Sequence, residues 1–249
     1  MPLVLPPRLT ASARSLRDTA RRRGLETVEL TAPDVPGELR DGDAYLHAGP
    51  SFADAVAPAL GVAPLEAPAD WLARLPVAFL GREIRAVPLR EAYGLRRPVF
   101  VKSPNDKGVP ALVYTDGSRL PGPDAVDPDT VVLVSEIVVF EAEYRLYVLD
   151  GRVHTGSRYA ASGQLRLAPL SADGRAFGTE LLDAVGHTLP SAIVVDVGVT
   201  DTGRWAVVEA NAAWASGCYA SDPDRALDVV LRAAGPAAHL TERDSPFVR

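Results

Sequence analysis

The segment "VVEANAAWASG", residues 207–217, carries a carboxylate and a carboxamide two positions apart, at Glu209 and Asn211. In a β-strand this spacing places both side chains on one face of the sheet. A second apolar run, "SAIVVDVGV" at residues 191–199, carries Asp196 near its centre. Buried carboxylates are costly unless they are paired or bind a metal. The segments therefore predict a cluster of oxygen ligands, and a set without His or Cys suits Mg²⁺ better than a transition metal.

The composition indicates a folded protein with a sizeable core. The chain has 249 residues, of which 47% are hydrophobic, and its mean hydropathy is +0.04. The net charge of −6 gives no reason to expect a nucleic acid partner. Cys218 is the single cysteine, which excludes an intrachain disulfide, favours a cytoplasmic location and predicts a packed thiol rather than a nucleophile. No apolar run approaches the roughly 20 residues of a membrane span.

The order of predicted elements indicates an α+β fold. The first part of the chain predicts a strand, an amphipathic helix and a strand, at "PLVL", residues 10–23 and "ETVEL". A Pro-rich connection follows, and we expect domains at residues 1–90 and 91–249. Short apolar runs dominate the second domain, where Asp150-Gly151 predicts a hairpin with a type I′ turn. Further helices are predicted at residues 51–60, 176–185 and 223–234.

Other charged side chains follow in an order that suits a nucleotide site. Lys102 ends the apolar strand of "VFVKSPNDKG" and could hold phosphate as a point charge. The stretch "VVLVSEIVVFEAEYRLYV" gives a strand, a break and a second strand with Glu143 and Arg145, and "GSRY" adds Arg158. Each residue also has a purely structural interpretation. Glu143 and Arg145 could pair across strands, and Asp196 could form a buried salt bridge with an arginine.

Taken together, these residues resemble the ATP-grasp superfamily over roughly residues 95–220. The stretches "EYRLYVLDGRV", "SRY" and "VVEANAAWASGCY" are most similar to a clade of small ATP-grasp proteins characterised by two arginines and a lysine. The resemblance implies two α+β lobes that clasp ATP, with a lobe hinge near residues 135–143. A small βαβ domain, similar to those that precede other ATP-grasp domains, would come first.

The resemblance also implies roles for individual residues. Arg145 and Arg158 would be the catalytic arginines, and Lys102 or Lys107 the characteristic lysine at the phosphates. The loop that holds Lys107 has fewer glycines than the corresponding loop of many relatives. The ATP-binding and metal sets would be Lys102, Lys107, Glu136, Ile137, Val139 and Glu143, and Asp196, Glu209 and Asn211. In this assignment the hinge backbone contacts adenine and Glu143 reaches the ribose.

The activity implied by the resemblance is an ATP-dependent ligase with Mg²⁺, or Mn²⁺ as an alternative ion. A substrate carboxylate would attack the γ-phosphate of ATP, and an amine or other nucleophile would capture the acyl-phosphate. An amino acid, a peptide or a similar small acid is the expected substrate, with no nucleic acid or membrane partner. A homodimer is compatible with the resemblance. The alternatives are an ATP-binding sensor without ligase activity and a phosphotransferase.

Two aromatic residues beyond the predicted metal strand, Trp214 and Tyr219, have equally weighted interpretations. Either residue could line a substrate pocket or pack at the edge of the lobe.

Overall fold

A computed structural model describes residues 1–40, 42–105 and 108–249 of the chain. Six α-helices occur in these residues: α1 (Ala11–Arg22), α2 (Pro50–Leu60), α3 (Val77–Leu80), α4 (Leu89–Ala92), α5 (Ala172–Val185) and α6 (Pro223–Ala233). The first seven strands are β1 (Leu3–Leu5), β2 (Thr27–Glu29), β3 (Tyr45–Leu46), β4 (Val62–Pro64), β5 (Ile84–Pro88), β6 (Val99–Lys102) and β7 (Leu112–Tyr114). The remaining strands are β8 (Val131–Ser135), β9 (Phe140–Leu149), β10 (Arg152–Ala161), β11 (Gln164–Pro169), β12 (Ala192–Thr200), β13 (Trp205–Asn211) and β14 (Ala234–Pro236).

The first part of the chain folds as the predicted βαβ unit. Strands β1 and β2 pair in parallel and are connected by α1, and β3 extends the sheet in the order β2-β1-β3. The hydroxyl of Thr10 caps α1 by accepting a hydrogen bond from the backbone N–H of Ala13, at 3.1 Å. Gly24 follows the helix with a φ of 78°, a conformation that glycine adopts without strain. Local sequence signals therefore account for this unit.

Two larger antiparallel sheets, and a two-stranded one formed by β14 and β4, make up the rest of the sheet structure in the described residues. The larger sheet has five strands in the order β11-β10-β9-β12-β13, and the smaller has four in the order β5-β8-β6-β7. Asp150 and Gly151 join β9 to β10 with φ angles of 49° and 74°, as a type I′ turn requires. Helix α5 begins four residues earlier than predicted, because Ser171 caps it through the N–H of Gly174.

The five-stranded sheet carries a core on each of its faces. One face packs against the βαβ unit, α2 and α6, through residues that include Tyr147 and Val194. The other face packs against α5 and residues 71–80, through Leu146, Val195 and their neighbours. A third core lies on the four-stranded sheet. Because side chains alternate along β9 and β12, residues 145 and 196 lie on the face of the sheet that also meets the βαβ unit.

Pairings between distant segments cross the predicted boundary at residue 90. Strand β5 lies before the boundary and pairs with β8. Strand β14, near the end of the chain, pairs with β4, and the backbone N–H of Glu66 donates to the carbonyl of Phe247 at 2.9 Å. The division into domains 1–90 and 91–249 stays a prediction. No helix in the described residues is long and apolar enough to cross a membrane.

Candidate functional site

The predicted oxygen cluster forms on three adjacent strands. Arg145 on β9 lies opposite Asp196 on β12, and Asp196 lies opposite Glu209 on β13. The guanidinium of Arg145 donates two hydrogen bonds to the Asp196 carboxylate, from Nε to Oδ1 at 2.9 Å and from Nη2 to Oδ2 at 2.7 Å. Asp196 is fully buried. The antiparallel register therefore places a cation and two carboxylates in one row across the sheet.

Lys102 and Asn211 extend this row toward the smaller sheet. Lys102, at the end of β6, forms an ion pair with Glu209 through Nζ and Oε2. The amide nitrogen of Asn211 donates to Oε1 of Glu209 at 2.8 Å and to Oδ2 of Asp196 at 3.1 Å. The structure thus brings together five predicted residues, which we call the charged row: Lys102, Arg145, Asp196, Glu209 and Asn211. Lys102 comes from the four-stranded sheet, so the row also joins the two antiparallel sheets.

Charge pairing sets the protonation of the row. Burial alone would raise the pKa of Glu209, but the charge of Lys102 and the hydrogen bonds from Asn211 and Lys102 together outweigh it, and the pKa lies below its ordinary value. Burial would likewise lower the pKa of Arg145, but the carboxylate of Asp196 holds it above its ordinary value. Burial raises the pKa of Asp196, against the opposing charge of Arg145. Glu209 and Arg145 are therefore charged at neutral pH.

The oxygen atoms of the row fit a divalent cation in part. Among the described residues, no group of three or more His, Cys, Asp and Glu side chains could hold a metal ion, so the predicted set depends on the amide oxygen of Asn211. Glu209 and Asn211 line a cavity, whereas both oxygens of Asp196 accept hydrogen bonds from Arg145 and Asn211. Both oxygens of Glu209 are likewise engaged, with Lys102 and Asn211. Glu209 and Asp196 would therefore bind a hard cation only by sharing or giving up these contacts, whereas the amide oxygen of Asn211 suits such a cation.

Two tyrosines enclose the guanidinium of Arg145. Its central carbon lies 5.5 Å from the ring centroid of Tyr159 and 5.1 Å from that of Tyr219, and the two rings stack at 5.2 Å. Tyr219 has a φ of 48°, which is uncommon for an aromatic residue. Nη1 of Arg145 also donates to the carbonyl of Gly217 at 3.4 Å. The segment around residue 217 therefore helps to orient Arg145.

Glu143 lies beside the row. Its Oε2 accepts a hydrogen bond from the hydroxyl of Tyr159 at 2.7 Å. Burial raises the pKa of Glu143, and burial together with nearby carboxylates raises that of Tyr159, which therefore stays a hydrogen-bond donor at neutral pH. Tyr219 packs on the ring of Tyr159. Trp214 adjoins the cavity but has no exposed surface, and it packs in the core on this face of the sheet.

The predicted hinge is an irregular segment, residues 136–139, between β8 and β9. Ile137 and Val139 expose 48% and 58% of their surface, which leaves apolar side chains available to a ligand. Glu136 instead contacts the protein, because its carboxylate accepts from the backbone N–H of Glu83 at 2.9 Å. The contact fixes Glu136 to the smaller sheet, and the hinge role of the segment stays a prediction.

Arg158 does not join the charged row. It lies opposite Tyr144 on β9, whose side chain belongs to the core on the other face of the sheet. Its Nε donates to the carbonyl of Arg166 at 3.2 Å. Lys107 lies outside the described residues. Among the described residues, the row therefore contains the lysine Lys102 and the arginine Arg145.

Arg82 is a buried arginine that the sequence reasoning did not identify. Its guanidinium donates to the carbonyls of Leu80 and Val207, both at 2.9 Å, and to Oγ of Ser135 at 3.2 Å. It also lies over the ring of Phe140, at 5.4 Å from the centroid. Burial lowers the pKa of Arg82 to about 10. Arg82 thereby links the end of β8 to β13, next to the hinge.

A cavity of about 650 Å³ opens beside the charged row. Lys102, Glu209, Asn211, Glu66, Trp214 and Arg249 line it. The rest of the described lining comes from the start of α2, the loop that follows Lys102 and residues 210–216, and is mainly apolar: Gly49, Pro50, Ser103, Pro104, Asn105, Val109, Pro110, Ala111, Ala210, Ala212, Ala215 and Ser216. The cavity is large enough for a small ligand in contact with the row.

The fold and this site define an ATP-grasp protein. Over residues 79–229 the sequence matches the ATP-grasp domain of family 2 in the clade named for two arginines and a lysine, and the chain belongs to that family. The superfamily and clade predicted from the sequence are thus confirmed, together with the two-lobed α+β fold. No curated protein matches the chain by sequence.

Solved structures with the same fold include ligases. D-cycloserine synthetase DcsG has a TM-score of 0.58 and 14% identity, over 92% of this chain and 98% of that one. The ATP-grasp ligase PsnB, solved with a minimal precursor, Mg and ADP, has a TM-score of 0.51 and 13% identity, over 92% and 96% of the two chains. At these identities the likeness establishes the fold.

Proposed function

We propose that the protein is an ATP- and Mg²⁺-dependent ligase that joins a carboxylate to an amine or another nucleophile through an acyl-phosphate. One observation carries the proposal: in a member of the ATP-grasp family, three residues of the charged row, Lys102, Glu209 and Asn211, line a cavity that can hold a small acid. The neighbours in fold that are named as ligases support the same reaction class. An amino acid, a peptide or a similar small acid is the proposed substrate.

In this reaction an oxygen of the substrate carboxylate forms a bond to the γ-phosphorus of ATP. The bond from that phosphorus to the bridging oxygen breaks, and ADP leaves. The nitrogen of the amine then attacks the acyl carbon, the bond to the phosphate oxygen breaks, and the amine loses a proton. The protein acts by positioning the reactants, by stabilising charge and by keeping water from the acyl-phosphate.

The charged row supplies the groups that this chemistry requires. Glu209 and Asn211, with Asp196 behind them, would hold Mg²⁺, which would supply positive charge to neutralise the phosphates. When ATP binds, Lys102 would leave its ion pair with Glu209 and bind phosphate oxygens instead. The contacts of Arg145 use three of its five N–H groups, so two remain for the transferred phosphoryl group. Its pairing with Asp196 fixes the orientation of that fork.

ADP release tests the proposal. The protein is incubated with ATP, Mg²⁺ and pools of small acids and peptides, with and without pools of amines, and then with hydroxylamine as the nucleophile. A ligase releases ADP and phosphate only when a substrate acid is present, and hydroxylamine converts the acyl-phosphate to a hydroxamate. A stable phosphorylated product without released phosphate would instead identify a phosphotransferase. ATP binding without ADP release in any pool would identify a sensor.

A further inference from the structure

Glu66 and Arg249 line the same cavity as Lys102, Glu209 and Asn211 of the charged row. The backbone N–H of Arg249 donates to the carbonyl of Pro64 at 2.9 Å, which places both side chains at the end of one antiparallel pairing. Trp214 packs against this pair. Its ring is fully buried, and its centroid lies 5.9 Å from the guanidinium carbon of Arg249. Its Nε1 donates to the carbonyl of Leu65 at 2.8 Å. This part of the cavity wall is therefore a fixed arrangement.

The side chains in this part of the wall carry more negative than positive charge. Arg249 donates to both oxygens of Asp54, at 2.6 and 3.1 Å, and to Oε2 of Glu66, at 2.7 Å. Two carboxylates thus share one guanidinium. Asp54 is half exposed and screened by solvent, whereas the side chain of Glu66 is 20% exposed and lines the cavity. Among the described residues, Oε1 of Glu66 has no hydrogen-bond partner, so it can accept a hydrogen bond from a ligand.

From these charges we propose that Glu66 binds the ammonium group of the substrate, and that Arg249 holds Glu66 in place for this purpose. The inference rests on the proposed function and narrows its substrate to an acid that carries a positively charged nitrogen. In such a substrate the carboxylate would lie at Lys102 and the ammonium at Glu66, both of which line the cavity. Free amino acids and the amino ends of short peptides share this chemistry.

The proposed contact also predicts which acids the cavity rejects. A dicarboxylic acid would place its second carboxylate against Glu66, where like charges repel. An N-acetylated amino acid would present a neutral amide and lose the charge-assisted hydrogen bond. A charge-assisted hydrogen bond in a partly buried site corresponds to about 10- to 100-fold in affinity. Discrimination of this size separates a free amino group from its acetylated form in a binding assay.

Ligand-observed NMR of the full chain with Mg²⁺ and a non-hydrolysable ATP analogue tests this inference. The probes are the standard amino acids and a set of dipeptides, each paired with its N-acetyl derivative. We expect at least one free amine to bind about 10-fold or more tightly than its acetylated partner. Free amino acids and dipeptides are measured separately. The class that binds more tightly identifies the source of the ammonium group.

Substitutions at residue 66 supply the control. Glu66→Gln keeps a hydrogen-bond acceptor for Arg249 but removes the charge, so it should abolish the preference for the free amine and leave nucleotide affinity and the melting temperature unchanged. Glu66→Asp keeps the charge and should retain the preference. The matched control is Glu180→Gln, on the exposed surface of α5, which should change nothing.

Several results would overturn the inference. These are equal binding of free and acetylated forms, absence of binding by every ammonium-bearing probe, and a preference that survives in Glu66→Gln. ADP release distinguishes this failure from that of the ligase proposal. If the free amine binds more tightly in a way that depends on Glu66, but no pool gives ADP release, the ammonium site is supported and the ligase proposal is refuted. If acetylated acids give ADP release at a rate that Glu66→Gln does not change, the ligase proposal is supported and the ammonium site is refuted.

Discussion

Asp196 and Arg145 lie opposite each other on β12 and β9. The carboxylate of Asp196 accepts its two shortest hydrogen bonds, at 2.9 and 2.7 Å, from the guanidinium of Arg145. Asp196 has no exposed surface. The pair lies between the cavity residue Glu209 and the tyrosines that stack on Arg145. The carboxylate therefore acts as the anchor of the arginine as well as a neighbour of the proposed metal ligands.

Removing the charge of Asp196 should destabilise the fold. Asp196→Asn leaves the Arg145 guanidinium buried without its carboxylate, and breaking a buried pair in this way costs about 3–5 kcal/mol. Urea unfolding of the variant and the wild type measures the difference in free energy. The exposed pair Arg74–Asp70 on the surface provides the control, because Asp70→Asn should cost less than about 1 kcal/mol. Equal losses at the two sites would show that the buried pair contributes no more than a surface pair.

Glu209→Gln should remove most of the ligase activity while the fold is retained. The change keeps the shape of the side chain and its contact with Asn211, but it deletes the charge that faces Lys102 and the proposed metal. Loss of one electrostatic partner in such a site lowers turnover on the order of 10²-fold or more. ADP release measures the rate, and circular dichroism checks the fold. A variant with near wild-type turnover would assign Glu209 a structural role.

ATP binding should depend on a divalent cation. Glu209 and Asn211 line the cavity with oxygen atoms, and without a cation these oxygens face the phosphates of ATP directly. Isothermal titration calorimetry with ATP in Mg²⁺ and in excess chelator measures the dependence, and we expect weaker binding in the chelator. Equal affinities under the two conditions would refute the metal assignment and leave the ATP-grasp fold unaffected.

Acid should destabilise the protein through His47. This side chain is 5% exposed, its Nδ1 has no hydrogen-bond partner among the described residues, and burial lowers its pKa from 6.5 to about 4. Between these values the unfolded chain binds a proton that the folded chain does not. The stabilisation is therefore complete above pH 6.5 and falls as the pH drops toward 4, by about 3 kcal/mol.

Unfolding free energies measured from pH 7 to pH 4 test this dependence. His47→Gln removes the titrating group and should flatten the profile between pH 6.5 and pH 4. His187, which is exposed, is the matched control, and His187→Gln should leave the profile unchanged. An unchanged slope in His47→Gln would show that the acid sensitivity arises from the carboxylates alone.

Local pattern was enough to predict β12 and β13 and the residues that meet on them. The alternation in "VVEAN" and the acid within "SAIVVDVGV" fixed the faces of Asp196, Glu209 and Asn211, and the antiparallel register then brought them into one row. The pattern left open which cation would pair with Asp196. That choice depends on the order of strands in the sheet, which places Arg145 beside it.

The residues that sequence reasoning missed depend on contacts between distant segments. Arg82 binds carbonyl groups of β13, 125 positions away, and nothing in its local sequence distinguishes it from a surface arginine. Glu66 and Arg249 are 183 positions apart and meet only because the end of the chain pairs with residues 62–66. Patterns with a period of two or 3.6 residues carry no information about such pairings.

The two candidate arginines should differ in their response to lysine. Arg145→Lys keeps the charge but loses the planar fork that grips both oxygens of Asp196, so kcat should fall while the KM for ATP changes little. Arg158 lies opposite Tyr144 and donates to the Arg166 carbonyl, so Arg158→Lys should be nearly neutral in both parameters. Steady-state ADP release measures both variants under identical conditions, with melting temperatures as the check on folding. A lowered kcat with an unchanged KM in Arg158→Lys would contradict this expectation. It would mean that Arg158 reaches the phosphates when ATP is bound and acts, with Arg145, on the transition state.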